Sequence, residues 1–240
     1  IWMKTYQTIE NVMKQSKVTA KEIAGIAITN QRETTILWDK DSGKPIYNAV
    51  VWQSRQSQSI CDKLMSDGYE QLILSKTGLV INSYFSGSKI AWLLKNVEGA
   101  YQKALDGDLR FGTIDCYLLW KLTNGKSHAT DYTNASRTMI YNIYDLCWDD
   151  ELLNILDIPK SLLPNVVDSN SIFGYAEALC EIDRDFKDVP IASMIGDQQA
   201  SLFGQCCFNS GDIKNTYGTG CFMLMNTKEK IVKSTNGLLT

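Results

Sequence analysis

The sequence predicts a mixed α/β protein. Two short apolar runs rich in β-formers, IAGIAITN at 23–30 and PIASMI at 190–195, stand far apart in the chain. Between them lie helical patterns, the clearest being KIAWLLKN at 89–96. Short apolar runs mark buried strands, and strands mixed with amphipathic helices indicate an α/β architecture.

The elements follow in order. Residues 1–16 carry Ile1, Tyr6, Ile9, Val12 and Met13 near helical spacing, which predicts an amphipathic helix. Strands are expected over 23–30, over TTILWD at 34–39 and over NAVVW at 48–52, the last two joined through the turn residues DSGKP at 41–45. Residues 55–105 read as helix-rich, 109–114 as a strand, and DCYLLWKLT as a helix. A further helix at 149–156 stops before Ile158-Pro159, because the residue ahead of a proline disfavours helical geometry. Residues 174–188 are polar and charged and are expected to be exposed. The strand at 190–195 ends at Gly196-Asp197, a helix follows over 198–208, and IKNTYG and CFMLMN form a hairpin around Thr219-Gly220. A boundary falls near 205–210, so residues 1–205 are assigned to one domain and 206–240 to the start of another.

Composition narrows the function classes. Of 240 residues, 44% are hydrophobic and 21% charged, the balance of a soluble globular protein. The net charge of -3 and the scattered basic residues argue against nucleic acid and against a membrane surface as partners. No apolar run approaches the roughly 18 residues that span a bilayer, and the charged opening IWMKTYQTIENVMKQ is unlike a signal peptide. The seven cysteines are odd in number and form no CxxC pair, which predicts buried free thiols in a reducing, cytoplasmic compartment. His128, the single histidine, has no partner pattern around it and reads as structural. The chain opens within a helix without an initiating Met and is read as a piece of a longer protein.

Five local patterns bear on chemistry. NGKS at 124–127 mimics the end of a phosphate-binding loop, but Trp120 stands where that loop needs glycine. Asp197, between a strand and a helix, either caps the helix or faces the cleft beyond the strand as a proton acceptor. Tyr217-Gly218-Thr219-Gly220 is either a plain hairpin turn or a place where backbone N–H groups approach a phosphate. Arg32 and Glu33 combine a fork of donors with acceptors, suited either to a hydroxyl-rich small molecule or to solvent. Trp52 and the Tyr84-Phe85 pair are either core or an apolar wall for a polyol's carbon face.

Taken together, ITNQRETT (28–35), NAVVWQ (48–53), TGLVINSYFSGSK (77–89), DYTNASRTM (131–139), GDQQASLFGQ (196–205) and NTYGTGCFMLMNT (215–227) resemble the glycerol kinases, a branch of the carbohydrate kinase family that also holds xylulose and gluconate kinases. The resemblance implies a ribonuclease-H-like, actin-like ATPase fold, of which this chain is a fragment from a two-domain kinase. It implies ATP-dependent phosphorylation of glycerol to sn-glycerol 3-phosphate, with ATP and Mg2+. Arg32, Glu33, Tyr84, Asp197 and Gln198 match the glycerol-bonding set, and Trp52 and Phe222 the apolar wall. Asp197 matches the catalytic base and a contact to magnesium, direct or through water. Gly218, Thr219 and Gly220 match the phosphate hairpin. The family also suggests a homodimer or homotetramer. The alternatives are a kinase of another polyol or sugar, or a non-catalytic polyol-binding homologue.

Overall fold

The computed structural model describes residues 1–218 and 220–240. The chain opens with α1 (Trp2–Ser16), then runs through β1 (Ile26–Asn30), β2 (Ile36–Asp39), α2 (Gln58–Ser66), α3 (Glu70–Thr77), α4 (Ser86–Asn96) and α5 (Ala100–Leu105). Next come β3 (Leu109–Gly112), α6 (Ile114–Leu122), β4 (Ala129–Asp131), α7 (Tyr132–Ala135), β5 (Tyr141–Asn142), β6 (Cys147–Trp148) and α8 (Asp150–Ile155). The last part holds β7 (Asn165–Val167), β8 (Gly174–Tyr175), β9 (Pro190–Gly196), α9 (Asp197–Gly204), β10 (Ile213–Tyr217) and β11 (Cys221–Met225).

The pairing that positions the site is β1 beside β9, parallel, with Ile28 opposite Met194 and Asn30 opposite Gly196. β8 adds antiparallel on the other side of β9. Ile28, Ile191 and Met194 are buried against the helices on one side of the sheet, while Ala27 and Thr29 of β1 alternate to an exposed side. β2 pairs antiparallel with β3, β4 parallel with β7, and β10 antiparallel with β11. The largest apolar cluster gathers α2 to α5 around Leu79, Phe85, Ile90, Leu93 and Phe111 and extends to Leu152 and Leu162. A second packs α1 and α6 against β1 and β9 through Ile28, Leu119, Phe186 and Ile191. Gly87 lets α4 approach Thr138 closely: its N–H donates to the Thr138 carbonyl at 2.7 Å, and a Cβ there would stand 2.8 Å from the same oxygen.

Several expectations need correction. Residues 48–52 form no strand: Val50 exchanges both backbone hydrogen bonds with Thr35, then a turn closed by Ser54 N–H on Val51 carries the chain away after that one pair. Residues 174–188 are not simply exposed, since 3-10 turns at Glu177–Leu179 and Arg184–Asp188 bury Ala176, Leu179 and Phe186 in the second cluster. The helix after Gly196 stops at Gly204, and Cys206 takes a left-handed conformation (φ 57°). All seven cysteines are free, but only Cys61 and Cys116 are buried; Cys147, Cys206 and Cys221 are exposed. His128 is structural: Nε2 lies 2.8 Å from the Phe111 carbonyl, and the ring packs edge-on against Trp38 and Trp120. NGKS is the turn after α6, with Gly125 N–H on the Trp120 carbonyl. Among the described residues, no helix is long and apolar enough to cross a membrane.

Candidate active site

Beyond the carboxyl ends of β1 and β9 lies a cavity of about 220 Å³. This is where open α/β sheets place ligands. Arg32, Glu33, Trp52, Tyr84, Asp197, Gln198, Gly218, Gly220 and Phe222 all line it, together with Gln31 and Thr216. Thr219 lies outside the described residues. A larger cleft of about 700 Å³ runs between α1 and the end of α6. Its charged groups are the surface residues Lys40, Asp41, Lys121 and Glu181, and of the patterns weighed for chemistry it holds only Trp120, Asn124 and Gly125, at the NGKS turn.

One wall of the smaller cavity is buried and heavily tied. After β1 the chain turns sharply at Glu33, with φ at 67° and Thr34 N–H donating to the Arg32 carbonyl at 2.8 Å. A non-glycine residue in that region costs on the order of 1–3 kcal/mol and persists only when its surroundings hold it. Here they do. The Glu33 carbonyl accepts from Ser86 Oγ at 3.2 Å and from Lys89 Nζ at 3.0 Å, and Lys89 also donates to the Tyr84 carbonyl. Burial pushes the Lys89 ammonium down to about 8. The Glu33 carboxylate, 1% exposed, accepts from Arg137 Nε at 2.8 Å. The Arg137 guanidinium in turn lies over the Phe85 ring at 5.0 Å and the Tyr84 ring at 5.9 Å. Tyr84 meets Trp52 edge to face at 5.7 Å. Burial, and then the Glu33 charge, push the Tyr84 phenol up.

The floor is set by Arg32 and α9. Arg32 Nε lies 3.2 Å from Asp197 Oδ1 and 4.0 Å from Glu33 Oε1, while Nη1 donates to Gln199 Oε1 at 3.2 Å. Gly196 is needed there, because a Cβ would fall 2.5 Å from Arg32 Cδ. Asp197 is not the helix cap: Gly196 holds that position and Asp197 is the first helical residue, its Oδ1 accepting the Gln198 N–H at 2.8 Å. Its side chain remains 42% exposed, so the carboxylate reaches the cavity. Behind it runs a buried polar chain. Gly196 N–H donates to Thr133 Oγ1 at 2.7 Å, and that hydroxyl donates to Asp131 Oδ2 at 2.6 Å. Asp131 caps α7, and Asn134 links it to Asn30 at the end of β1.

The opposite wall is the β10–β11 hairpin. Thr216 faces Phe222 across the ladder, and Gly220 lies so close to that ring that a Cβ would meet it at 2.7 Å. Lys214, buried on the same face, donates to Gln198 Oε1 and, at 2.7 Å, to Thr216 Oγ1. Burial pushes its ammonium down, against the pull of Asp197. Sequence reasoning missed Lys89, Arg137 and Lys214. The available signal for Lys89 was its place on the buried stripe of α4, four residues before Leu93. For Lys214 it was alternation, which puts Lys214 and Thr216 on one face and Ile213 and Tyr217 on the other.

A model of the FGGY family of carbohydrate kinases, N-terminal domain, matches residues 1–204. The chain is 59% identical to a glycerol kinase of Bacillus licheniformis, covering 100% of this chain and 48% of that protein, and 58% identical to one of Bacillus subtilis with the same coverage. It thus spans about half the length of the curated relatives it matches. Among solved structures, a Plasmodium falciparum glycerol kinase with ADP superposes with a TM-score of 0.89 at 40% identity, over 96% of this chain and 46% of that one. A gluconate kinase from Lactobacillus acidophilus gives 0.76 at 23% identity over 91% and 43%, a likeness of fold. The fold is therefore the actin-like ATPase fold of the sugar kinases, as the resemblance implied, and its α/β class is the one the sequence patterns predict.

Proposed function

This chain belongs to the FGGY family of carbohydrate kinases, and on that basis we propose that the full-length protein phosphorylates glycerol to sn-glycerol 3-phosphate using ATP. The observation that carries the reading is the cavity at the ends of β1 and β9, where Asp197 presents a half-exposed carboxylate beside the Gln198 amide and below the Trp52–Tyr84 pair. The cavity is about 220 Å³, suited to a three-carbon polyol. The names of the relatives from Bacillus and Plasmodium support glycerol over other polyols.

In this reading the Glu33 carboxylate accepts from glycerol hydroxyls and Arg32 donates to them. Trp52 and Phe222 cover the carbon face. Asp197 takes the proton from the attacking hydroxyl as its oxygen bonds to the γ-phosphorus and the bond to the ADP leaving oxygen breaks. Positioning and charge complementarity supply most of the acceleration in such transfers. Residues 206–240 form the opening of the second domain, and Gly218, Thr219 and Gly220 contact phosphate. The cavity lining carries two carboxylates, Asp197 and Glu33, of which Glu33 is held by Arg137, and no cluster of three or more His, Cys, Asp or Glu side chains able to cage a metal occurs among the described residues. That donor set fits an ion held mainly by phosphates and water, with Asp197 as ligand directly or through water. Bound there, the ion would neutralise phosphate charge. A reducing, cytoplasmic location agrees with seven free cysteines.

The test is a coupled ADP-release assay of the full-length protein with glycerol, xylulose and gluconate. Saturable turnover on glycerol is expected. Turnover on a sugar and none on glycerol would sink the assignment.

A further inference from the structure

We propose that Lys214 is a positioning residue that fixes which end of the Gln198 amide faces the cavity, and so sets the hydrogen-bond sense of the acceptor-hydroxyl site. The inference rests on the reading of this cavity as the phosphoryl-acceptor site and deepens it.

An ammonium has three donors and no acceptor, whereas a glutamine amide has one end of each kind. Lys214 and Gln198 are 4% and 6% exposed, so neither can exchange its partner for water. With Lys214 Nζ donating to it, the buried end of the amide must be Oε1. The Nε2 end then turns toward Asp197, 3.4 Å from Oδ2. Thr216 Oγ1, accepting from the same ammonium at 2.7 Å, holds Lys214 in place from its own strand. At its Asp197 end the cavity is thereby given an acceptor, the Asp197 carboxylate, beside a donor, the Gln198 N–H. That pair matches a hydroxyl group in the act of losing its proton: the O–H donates to Asp197 while the oxygen accepts from Gln198. The reversed amide would set two acceptors side by side and leave the hydroxyl oxygen without a donor. Lys214 lies on the β10–β11 hairpin and Gln198 on α9, so the hairpin polarises a site built mainly from the preceding 205 residues.

The test uses the full-length protein and kcat/KM for glycerol, with thermal unfolding of each variant recorded alongside. Lys214→Met should lower kcat/KM by about 10- to 100-fold, and Gln198→Met by a similar factor, the range expected when one hydrogen bond beside a charge is lost. Because Lys214 acts through Gln198, the double variant should be no worse than the poorer single one. Lys214→Arg, which keeps the charge and donors, should recover most of the loss. Gln198→Glu tests the polarity without touching Lys214: it keeps an acceptor for the ammonium but offers the cavity no N–H, so it should fall as far as Gln198→Met. The proposal is overturned if the two single losses multiply in the double variant, if Lys214→Met stays within about twofold of wild type, or if Gln198→Glu retains activity. Should Lys214→Met not fold, the Gln198→Glu result alone decides. Wild-type turnover on glycerol tests the acceptor reading separately, and if another polyol is the acceptor, the same variant ratios are read with that polyol.

Discussion

The two walls of the cavity are built in opposite ways. On one side Glu33, Ser86 and Lys89 are almost wholly buried, and the Glu33 turn is tied through its carbonyl and its carboxylate by side chains from two other segments. On the other side the hairpin turns its polar residues Lys214 and Thr216 inward and exposes Tyr217, Met223 and Met225 at 80%, 63% and 54%. A strained turn with many ties has one geometry and a high cost for change. A two-stranded ribbon with few buried contacts is weakly determined by itself. The contrast assigns shape to the first wall and adjustability to the second.

The sharpest test lies between the walls. Asp197→Asn keeps the size of the side chain and removes its ability to take a proton, so kcat of the full-length protein should fall by about 10²- to 10⁴-fold with glycerol binding largely retained. Unchanged kcat in rapid-quench measurements would remove Asp197 as the base. Next comes the rigid wall: Arg137→Met leaves the buried Glu33 carboxylate only its longer 4.0 Å contact to Arg32, which should cost about 3–5 kcal/mol in denaturant unfolding and raise the glycerol KM. A stability change below about 1 kcal/mol would show that the wall is not tied as described.

Lys89 offers a pH test of the same wall. Its ammonium is depressed from 10.5 to about 8 in the folded protein, so the unfolded chain holds this proton more tightly. Below pH 8 both states are protonated and the cost of burial is fully present; above 10.5 both are neutral and it is gone. Wild-type stability relative to Lys89→Met should therefore rise by roughly 3 kcal/mol between pH 8 and 10.5. A flat difference across that window would contradict the buried, charged assignment. The smallest effect is expected at the floor, where Gly196→Ala would push a Cβ against Arg32 and move it from Asp197. A loss of kcat/KM of about tenfold is expected, roughly 1.4 kcal/mol; wild-type kinetics would show that Arg32 has room to shift.

Elements with a strong local pattern were legible in the sequence. α1, α4, β9 and the β10–β11 hairpin follow from periodicity and turn residues. The failures share one cause: distant packing overrode local signals. NAVVW reads as a strand but meets one partner pair before a turn takes it away. The charged stretch 174–188 hides Phe186 and Leu179, whose partners lie on other elements. The cavity residues Arg32, Trp52, Tyr84 and Phe222 were found because they sit in recognisable segments. Arg137, Lys89 and Lys214 were not, although they lie in or beside those segments, since a charged residue betrays a buried role only when its distant partners are known.

The parallel register of β1 against β9 also governs when the cavity can come into being. Arg32 and Gln199, which meet at 3.2 Å, are separated by 167 residues of chain. Long-range pairings of this kind close large loops and form slowly. During synthesis at about 5–20 residues per second, Arg32 would wait roughly 10–30 s before its partners on α9 are made. Until then its guanidinium lacks Asp197 and Gln199, although Ser86, Lys89 and Arg137 can already hold the Glu33 turn, so the appearance of acceptor binding would report completion of the sheet rather than an early folding event.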